Sequence, residues 1–379
     1  MTSPVLLYNL ADMKVLISQE VLLDSLKTVS RAVSGQNTLP VLGNVLIRAT
    51  GKKLNFAATN LEISISTSSE AVVKNEGAIT VPAKILTSYV SLLKKGEEVE
   101  LSVSAGTALE VKSQSSKTKI KRITADEFPS IARVEGGTKI DLDTKTFRES
   151  VHQVAFAAQE YSSRPILSGV FFATNKSELR MAATDSYRLS EKVLKLKADV
   201  AETSCVIPVR AVFEADRLAG SEESIEMRIS ENQVMFSVGG TELTSRLIEG
   251  QFPDYQQIIP KKNSTVAEID RSEFELAVRR VSIFAKENNQ HMKLEFLNDG
   301  TLTISTDATE IGEEKTTIPV KLEGGTSLIA LNADYVLDIL GALSGEDKVR
   351  MELEGKMSPA VIGAVKNKDF LHLIMPLKM

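Results

Sequence analysis

The stretch RPILSGVFFATNKSELRMAATDSYRLSE (164–191) decides the fold, because its pattern occurs three times in the chain. LPVLGNVLIRATGKKLNFAATNLEISIS (39–66) lies before it and HMKLEFLNDGTLTISTDATEIGEE (291–314) after it. Each copy reads as a strand, a polar turn containing Gly or Asn, a second strand, and then Thr followed by Asn or Asp. Those closing pairs are Thr59-Asn60, Thr184-Asp185 and Thr306-Asp307. Self-similarity at a near-constant long period marks a repeated supersecondary unit.

The flanks repeat as well. SQEVLLDSLKTVSRAVS (18–34), DTKTFRESVHQVAFAAQ (143–159) and DRSEFELAVRRVSIFAK (270–286) precede the three copies. Each opens with Ser or Asp in the N-cap position and then places apolar residues at helical spacing, which predicts an amphipathic helix. A second helix is predicted after each copy, entered by VPAKILTSYVSLL (81–93), IPVRAVFEADRLA (207–219) and LNADYVLDILGAL (331–343). Pro82 and Pro208 are expected inside its first turn, where the missing N–H costs nothing. Alternating strands close each unit: EVELSVSAGTALEVKS (98–113), SIEMRISENQVMFSVGG (224–240) and KVRMELEGKMSPAVIGAV (348–365). Two units end on the same punctuation, DEFPSI (126–131) and GQFPDYQQIIP (250–260), and the Gly pairs at 136–137, 239–240 and 324–325 read as turns. The expected fold class is α+β, three tandem modules of two helices plus antiparallel sheets each. Their expected boundaries are 13–135, 138–260 and 264–379.

Repetition bears directly on Asp185, the obvious candidate for an acid catalyst. Its counterpart in the first copy is Asn60, which does no acid–base chemistry. A Thr-Asp or Thr-Asn pair at the end of a strand is better explained as turn chemistry, with side chains bonded to local backbone. Other chemistry finds little foothold. The chain has neither a phosphate-binding glycine loop nor a G-x-S-x-G elbow. His152, His291 and His372 have no cysteine or paired carboxylate at ligand spacing, so no metal or cofactor is expected. The single cysteine, Cys205, excludes an intrachain disulfide; it sits in the apolar run TSCVIPV, where a buried inert thiol is expected.

The chain has 379 residues, 25% of them charged and 42% hydrophobic, which is ordinary globular usage and too long for one core. No apolar run is long enough to cross a bilayer, and residues 1–12 lack the basic start of a signal peptide, so they read as an extension or an upstream start. With one cysteine this fits a cytoplasmic protein. A formal charge of −5 argues against nucleic acid as a partner unless positive charge is concentrated on one surface.

LPVLGN, RPILSG, ATDSYRL, FPDY, NADYVLDIL and a carboxy-terminal MPLKM, in this order and spacing, resemble the bacterial DNA polymerase III beta subunits, the sliding clamps. The similarity spans the chain after residue 12. It implies a head-to-tail homodimer closed into a six-domain ring, with helices lining a hole and sheets outside. Duplex DNA threads the hole, and the replicative polymerase, clamp loader and other clients are tethered without any reaction being catalysed. A peptide-binding adaptor that encircles nothing, and a hydrolase using Asp185, are the alternatives.

The same resemblance implies three sets of site residues. A pocket for short apolar client peptides matches Leu167, Thr184, Ser186, Tyr187, Arg188 and Leu189 on one wall. Pro253, Gln257, Ile258, Asn332, Tyr335, Met357, Pro359, Leu373, Ile374, Met375, Pro376 and Leu377 match the remainder. Ser186 stands where family members carry Gly. The helices facing DNA would carry Lys27, Arg31, Lys84, Arg148, Arg210, Arg217, Arg279 and Arg280, with Arg210 and Arg217 the strongest candidates. Gln36 replaces a basic residue in the loop before the first LP motif, where Arg31 could substitute. Such contacts should touch phosphates and not base edges, since base readout would pin the ring at one sequence. The dimer interface matches Thr118 and Ile120 on one subunit and Ile283 and Phe284 on the other. Lys117, Lys119, Lys121 and Arg122 would there meet acidic partners such as Glu310, Glu313 or Glu314.

Overall fold

The computed structural model describes residues 13–33, 39–103, 108–131, 134, 136–161, 163–308 and 310–379. Gln36 and the amino-terminal extension lie outside them. The first repeat supplies β1 (Lys14–Ser18), α1 (Gln19–Ser30), β2 (Asn44–Thr50), β3 (Lys53–Thr59), β4 (Ile63–Glu70), β5 (Val72–Asn75), β6 (Gly77–Pro82), α2 (Ala83–Ser91), β7 (Glu98–Ser102), β8 (Ala108–Lys112) and β9 (Lys117–Lys121). The middle repeat supplies β10 (Thr138–Asp143), α3 (Thr144–Val154), the long β11 (Gly169–Thr184) and β12 (Arg188–Pro208), α4 (Val209–Ala219), β13 (Ser224–Ile229), β14 (Gln233–Val238) and β15 (Thr241–Arg246). In the third lie β16 (Thr265–Asp270), α5 (Arg271–Ala285), β17 (His291–Leu297), β18 (Thr301–Ser305), β19 (Lys315–Pro319), β20 (Lys321–Gly324), β21 (Ser327–Asn332), α6 (Ala333–Ala342), β22 (Lys348–Leu353), β23 (Ala360–Ala364) and β24 (Phe370–Ile374).

Local chemistry explains the helix starts. Ser18 Oγ accepts from the Val21 amide at 3.3 Å, and Asp270 Oδ1 accepts from the Glu273 amide at 2.9 Å. Asn332 Oδ1 caps α6 by accepting from Asp334 and Tyr335. Pro82 and Pro208 correct the sequence expectation. Each is the last residue of its strand, paired across the ladder with Asn44 or Gly169, and the helix begins one residue later. The fixed φ of proline suits the end of a strand as well as a cap, and a terminal ladder position can do without its N–H. Amphipathicity runs as predicted: α5 buries Phe274, Ala277, Val278, Val281 and Ala285, three or four residues apart.

Two compact units result, and neither coincides with a repeat. One holds the residues up to Thr144 together with Glu214–Leu247; the other holds Lys145–Phe213 together with Ile248–Met379. In the first, a five-stranded sheet runs β5-β1-β7-β8-β9 and an eight-stranded sheet runs β10-β13-β14-β15-β4-β3-β2-β6. In the second, a seven-stranded sheet runs β11-β12-β24-β23-β22-β16-β20 and a four-stranded one β19-β18-β17-β21. The reason lies in two antiparallel junctions. β4 of the first repeat pairs with β15, the last strand of the middle repeat. β12 of the middle repeat pairs with β24, the last strand of the third.

The core of the second unit is carried by Phe274, Val278 and Val281 of α5, Val336, Ile339 and Leu340 of α6, and Leu294, Phe296, Leu302 and Ile304 beneath them. Full burial of each such side chain is worth about 1.5–3 kcal/mol. Among the described residues no helix is long and apolar enough to cross a membrane. Cys205 lies on β12, half-buried and not fully buried as expected, and desolvation pushes its thiol up to about 12.

Candidate functional site

The turn at 184–188 is built by its own side chains. Thr184 Oγ1 donates to the Arg188 carbonyl at 2.6 Å and accepts from the Ser186 amide at 3.1 Å. Asp185 Oδ1 accepts from the amides of Tyr187 and Arg188, each at 2.9 Å. Ser186 is thereby held at φ +80°, a left-handed conformation that favours glycine. Asp185 therefore works as turn chemistry and not as a free acid.

Arg188 ties this turn to a second element. Its Nε donates to Asp185 Oδ2 at 3.0 Å, Nη1 to Asp338 Oδ2 on α6 at 2.5 Å, and Nη2 to the Phe156 carbonyl at 3.0 Å. The guanidinium also lies 4.4 Å from the centre of the Tyr335 ring and 5.4 Å from that of Phe156. A planar fork with five donors can serve three acceptors and two ring faces at once; a lysine could not. Burial pushes the Tyr335 hydroxyl upward, with Asp185 acting in the same direction.

The carboxy-terminal strand completes the surface. Arg188 pairs with Ile374 and Leu189 with Leu373 across β12 and β24, and Ala360, which follows Pro359, pairs with Ile374 on the other side. Beyond the strand, the Met375 amide donates to the Tyr187 carbonyl and the Leu377 amide to the Ala330 carbonyl, both at 2.8 Å. Leu189 and Leu373 pack with Phe252 and Tyr255 in one apolar cluster, flanked by Ile166. Behind it, Ser190 Oγ and His372 Nδ1 meet at 2.7 Å directly across the strands. Complete burial, and after it the Arg188 charge, push the His372 imidazole down to about 3, so it is neutral.

The structure thus brings together Thr184, Ser186, Tyr187, Arg188, Leu189, Asn332, Tyr335, Pro359, Leu373, Ile374, Met375, Pro376 and Leu377. Thr184, Leu189, Leu373 and Ile374 are buried beneath this surface, while Tyr187 (63% exposed), Met357 (70%) and Ile258 (45%) stand clear of it. Leu167, Pro253, Gln257, Ile258 and Met357 sit on flanking segments. Gln257 is engaged locally, donating to Asp254 at 2.6 Å. Pro253 lines a separate cleft of about 360 Å³ with Phe171, Arg180 and Tyr255, and a cleft of about 1180 Å³ lies in the other unit against residues 125–131. The sequence reading missed Asp338 and Phe156. Their signal is weak, because neither belongs to the repeated phrase.

Family profiles for the DNA polymerase III beta subunit match along the chain: its N-terminal domain over residues 13–132, its central domain over 141–254 and its C-terminal domain over 256–378. The chain belongs to the DNA polymerase III beta subunit family. It is 32% identical to the beta sliding clamp of Synechococcus elongatus over 378 residues, covering 97% of this chain and 100% of that one. Identity to the beta sliding clamp of Synechocystis is 30% over 390 residues, with the same coverage of each. Among solved structures, the DNA polymerase sliding clamp from Bacillus subtilis superposes with a TM-score of 0.93 at 28% identity, covering 97% of this chain and 100% of that one. The Pseudomonas aeruginosa sliding clamp bound to griselimycin gives 0.92 at 27% identity, with the same coverage. Three tandem clamp domains of helices and antiparallel sheets are therefore the architecture.

Other positions picked out by likeness to this beta subunit family have definite surroundings. Arg31 and Arg217 converge on one buried carboxylate: Arg217 Nη1 lies 2.9 Å from Glu214 Oε1 and Arg31 Nη1 4.0 Å from Oε2. Both guanidinium groups remain accessible, at 40% and 63% side-chain exposure, so Glu214 orients them without burying them. Arg210 is half-buried, and Lys27 and Lys84 are exposed. Arg279 is bonded to Glu275, and Arg280 donates to Thr316 Oγ1 at 3.0 Å.

β9 and β19 are edge strands of their sheets. Thr118 is half-exposed on β9, but Ile120 points into the core at 6% exposure, so that strand offers its backbone and its lysines instead of an apolar side chain. Lys117 already pairs with Glu110 at 2.9 Å. Ile283 is 59% exposed on α5, with Phe284 half-buried beside it and Leu276 exposed two turns earlier. Ile85 is exposed on α2 and Tyr89 follows one turn later, its hydroxyl 2.5 Å from Ser116 Oγ at the entry to β9. The sequence reading missed Ile85, since an isolated isoleucine on a helix looks like core.

Proposed function

We propose that this chain is a sliding clamp: two copies close head-to-tail around duplex DNA, and the surface built around Arg188 tethers a polymerase and other clients by short apolar peptides. The observation that carries the ring is the repetition of the sheet junctions. Twice within the chain, the strand that follows the Thr-Asn or Thr-Asp turn pairs with the last strand of the next repeat. The third strand of that kind, β19, and the last strand of the first repeat, β9, are both left as edges. Unpaired edges attract a partner, and a heterologous contact that repeats the same rotation closes into a ring. β9 of one copy against β19 of another supplies the missing junction. Apolar residues flank it on both sides, Ile85 and Tyr89 on α2, Leu276, Ile283 and Phe284 on α5. The three domains are placed at 13–135, 138–260 and 264–379.

A tether that makes and breaks no bond needs no catalytic residue, cofactor or metal. DNA enters as a polyanion whose phosphates meet Arg31, Arg210 and Arg217, so its retention is sequence-independent and weakens with salt. These partners place the protein in the cytoplasm. The Arg188 surface suits an apolar peptide, since methionines adapt to varied side chains while the buried floor stays fixed. Griselimycin, bound in the P. aeruginosa relative, should compete with client peptides here.

The test is retention on DNA circles. Chains loaded on a nicked circle should stay through gel filtration and be lost after linearisation; equal retention on both forms would rule out encirclement. Ile283→Ala with Phe284→Ala should give monomers in analytical ultracentrifugation, since burial of each at the junction is worth about 2–4 kcal/mol. A dimer persisting at nanomolar concentration would move the interface elsewhere.

A further inference from the structure

We propose that His291 is a positioning residue for the client surface, acting as the outer clasp of the carboxy-terminal strap that forms one wall of it. This rests on the reading of the Arg188 surface as the client site. The strap, Met375–Lys378, is held at three points. The Met375 amide donates to the Tyr187 carbonyl at 2.8 Å, the Leu377 amide donates to the Ala330 carbonyl at 2.8 Å, and the Lys378 carbonyl lies 3.1 Å from His291 Nε2. The first bond ties the strap to the Thr184–Arg188 turn, the second to the edge strand β21. The third belongs to a side chain at the start of β17, paired directly across the ladder from Asn332, which caps α6 ahead of Tyr335. His291 thus joins the free end of the strap to the element that carries Tyr335 and Asp338.

Its chemistry suits a clasp. A carbonyl only accepts, so Nε2 must carry the proton, and in the neutral ring Nδ1 is then a bare acceptor. Nδ1 lies 3.7 Å from Asp307 Oδ2 and has no hydrogen-bond partner among the described residues. The Asp307 carboxylate is shared with Lys293, which bonds its other oxygen. Without the clasp, Met375, Pro376 and Leu377 are held at two points instead of three, and ordering them falls to the peptide that binds.

The experiment measures affinity by fluorescence anisotropy, using a labelled hexapeptide of Leu, Phe and Gly with blocked ends and no titratable side chain. His291→Ala should weaken binding about fivefold at pH 7.5, and His291→Gln, which can still donate, should restore it to within about twofold. A chain ending at Leu377 should show the same fivefold loss, with His291→Ala then adding nothing. Unchanged affinity in His291→Ala, or a further loss in the shortened chain, would overturn the clasp. Should Met375→Ala with Pro376→Ala leave affinity unchanged, the client surface itself is misplaced, a different failure from that of the clasp.

Discussion

The turn after Thr59 and the turn after Thr184 are one piece of backbone with two uses. In both, the threonine hydroxyl donates to the carbonyl four residues on, to Ile63 at 2.9 Å and Arg188 at 2.6 Å. In both, the following Asn or Asp accepts two amides, and the next residue sits at positive φ, +76° for Leu61 and +80° for Ser186. Arg188 therefore stands where Ile63 stands, and the Ser190–His372 cross-strand pair takes the place of Ile65–Leu243. The first junction is apolar and scaffolding only. The second has exchanged that core for a buried polar network, and it is there that the proposed client surface lies. Asn60 already does everything the turn requires of Asp185; what the carboxylate adds is a second oxygen for the Arg188 guanidinium.

The comparison can be broken first with acid. His372 is neutral in the fold down to about pH 3, whereas an unfolded histidine takes up a proton near its ordinary value of 6.5. Between those values the unfolded state binds more protons, so stability is complete above pH 6.5 and falls as pH drops towards 3. The slope reaches about 1.4 kcal/mol per pH unit. His372→Leu with Ser190→Ile installs the pair of the first junction and should remove this component from urea midpoints measured between pH 7 and 4. An unaltered slope would show that the exchange is not what makes the second junction acid-sensitive.

Next comes Arg188→Ala, which deprives Asp185, Asp338 and the Phe156 carbonyl of their common donor. A loss of about 100-fold in client-peptide affinity is expected, because hydrogen bonds to charged groups contribute about 1.5–3 kcal/mol. Calorimetric titration at constant melting temperature checks it, and a loss below threefold would reduce Arg188 to scaffold, like Ile63. Met375→Ala with Pro376→Ala should cost about tenfold, through lost apolar contact alone.

The smallest effect sharpens the likeness of the two turns. Leu61→Gly and Ser186→Gly should each stabilise the fold by about 1 kcal/mol, since each relieves a side chain held at positive φ. A stabilisation in one turn only, in thermal melts, would mean that the two backbones carry different strain.

Much of this was legible in the chain. Ser18 and Asp270 announced their helices, and the Thr-Asn/Asp pairs announced the turns, because caps and turns are settled by side chains within three or four residues of the backbone they bond. Ser186, Tyr187, Arg188 and Leu189 were picked out through the resemblance to the beta subunit family and not from the repeat itself. Asp338 could not be picked out. It lies 150 positions from Arg188, and no local pattern marks an aspartate on the outer face of a helix as the partner of one arginine. Nor could the inward turn of Ile120, which depends on the register of an edge strand, or the meeting of Arg31 and Arg217 on Glu214.

By itself the sequence determined that there are three modules, where their helices lie to within a residue or two of their starts, and that Asp185 serves a turn; these follow from periodicity and short-range hydrogen bonding. Only the tertiary structure decided that β4 joins β15 and β12 joins β24, so that the compact units cut across the repeats. The physical reason is that sheet edges choose partners by long-range register and side-chain packing, which pair residues far apart in the chain. The same holds for His291 and the carboxy-terminal strap: the bond between them exists because two strands bring the ends of the third module together.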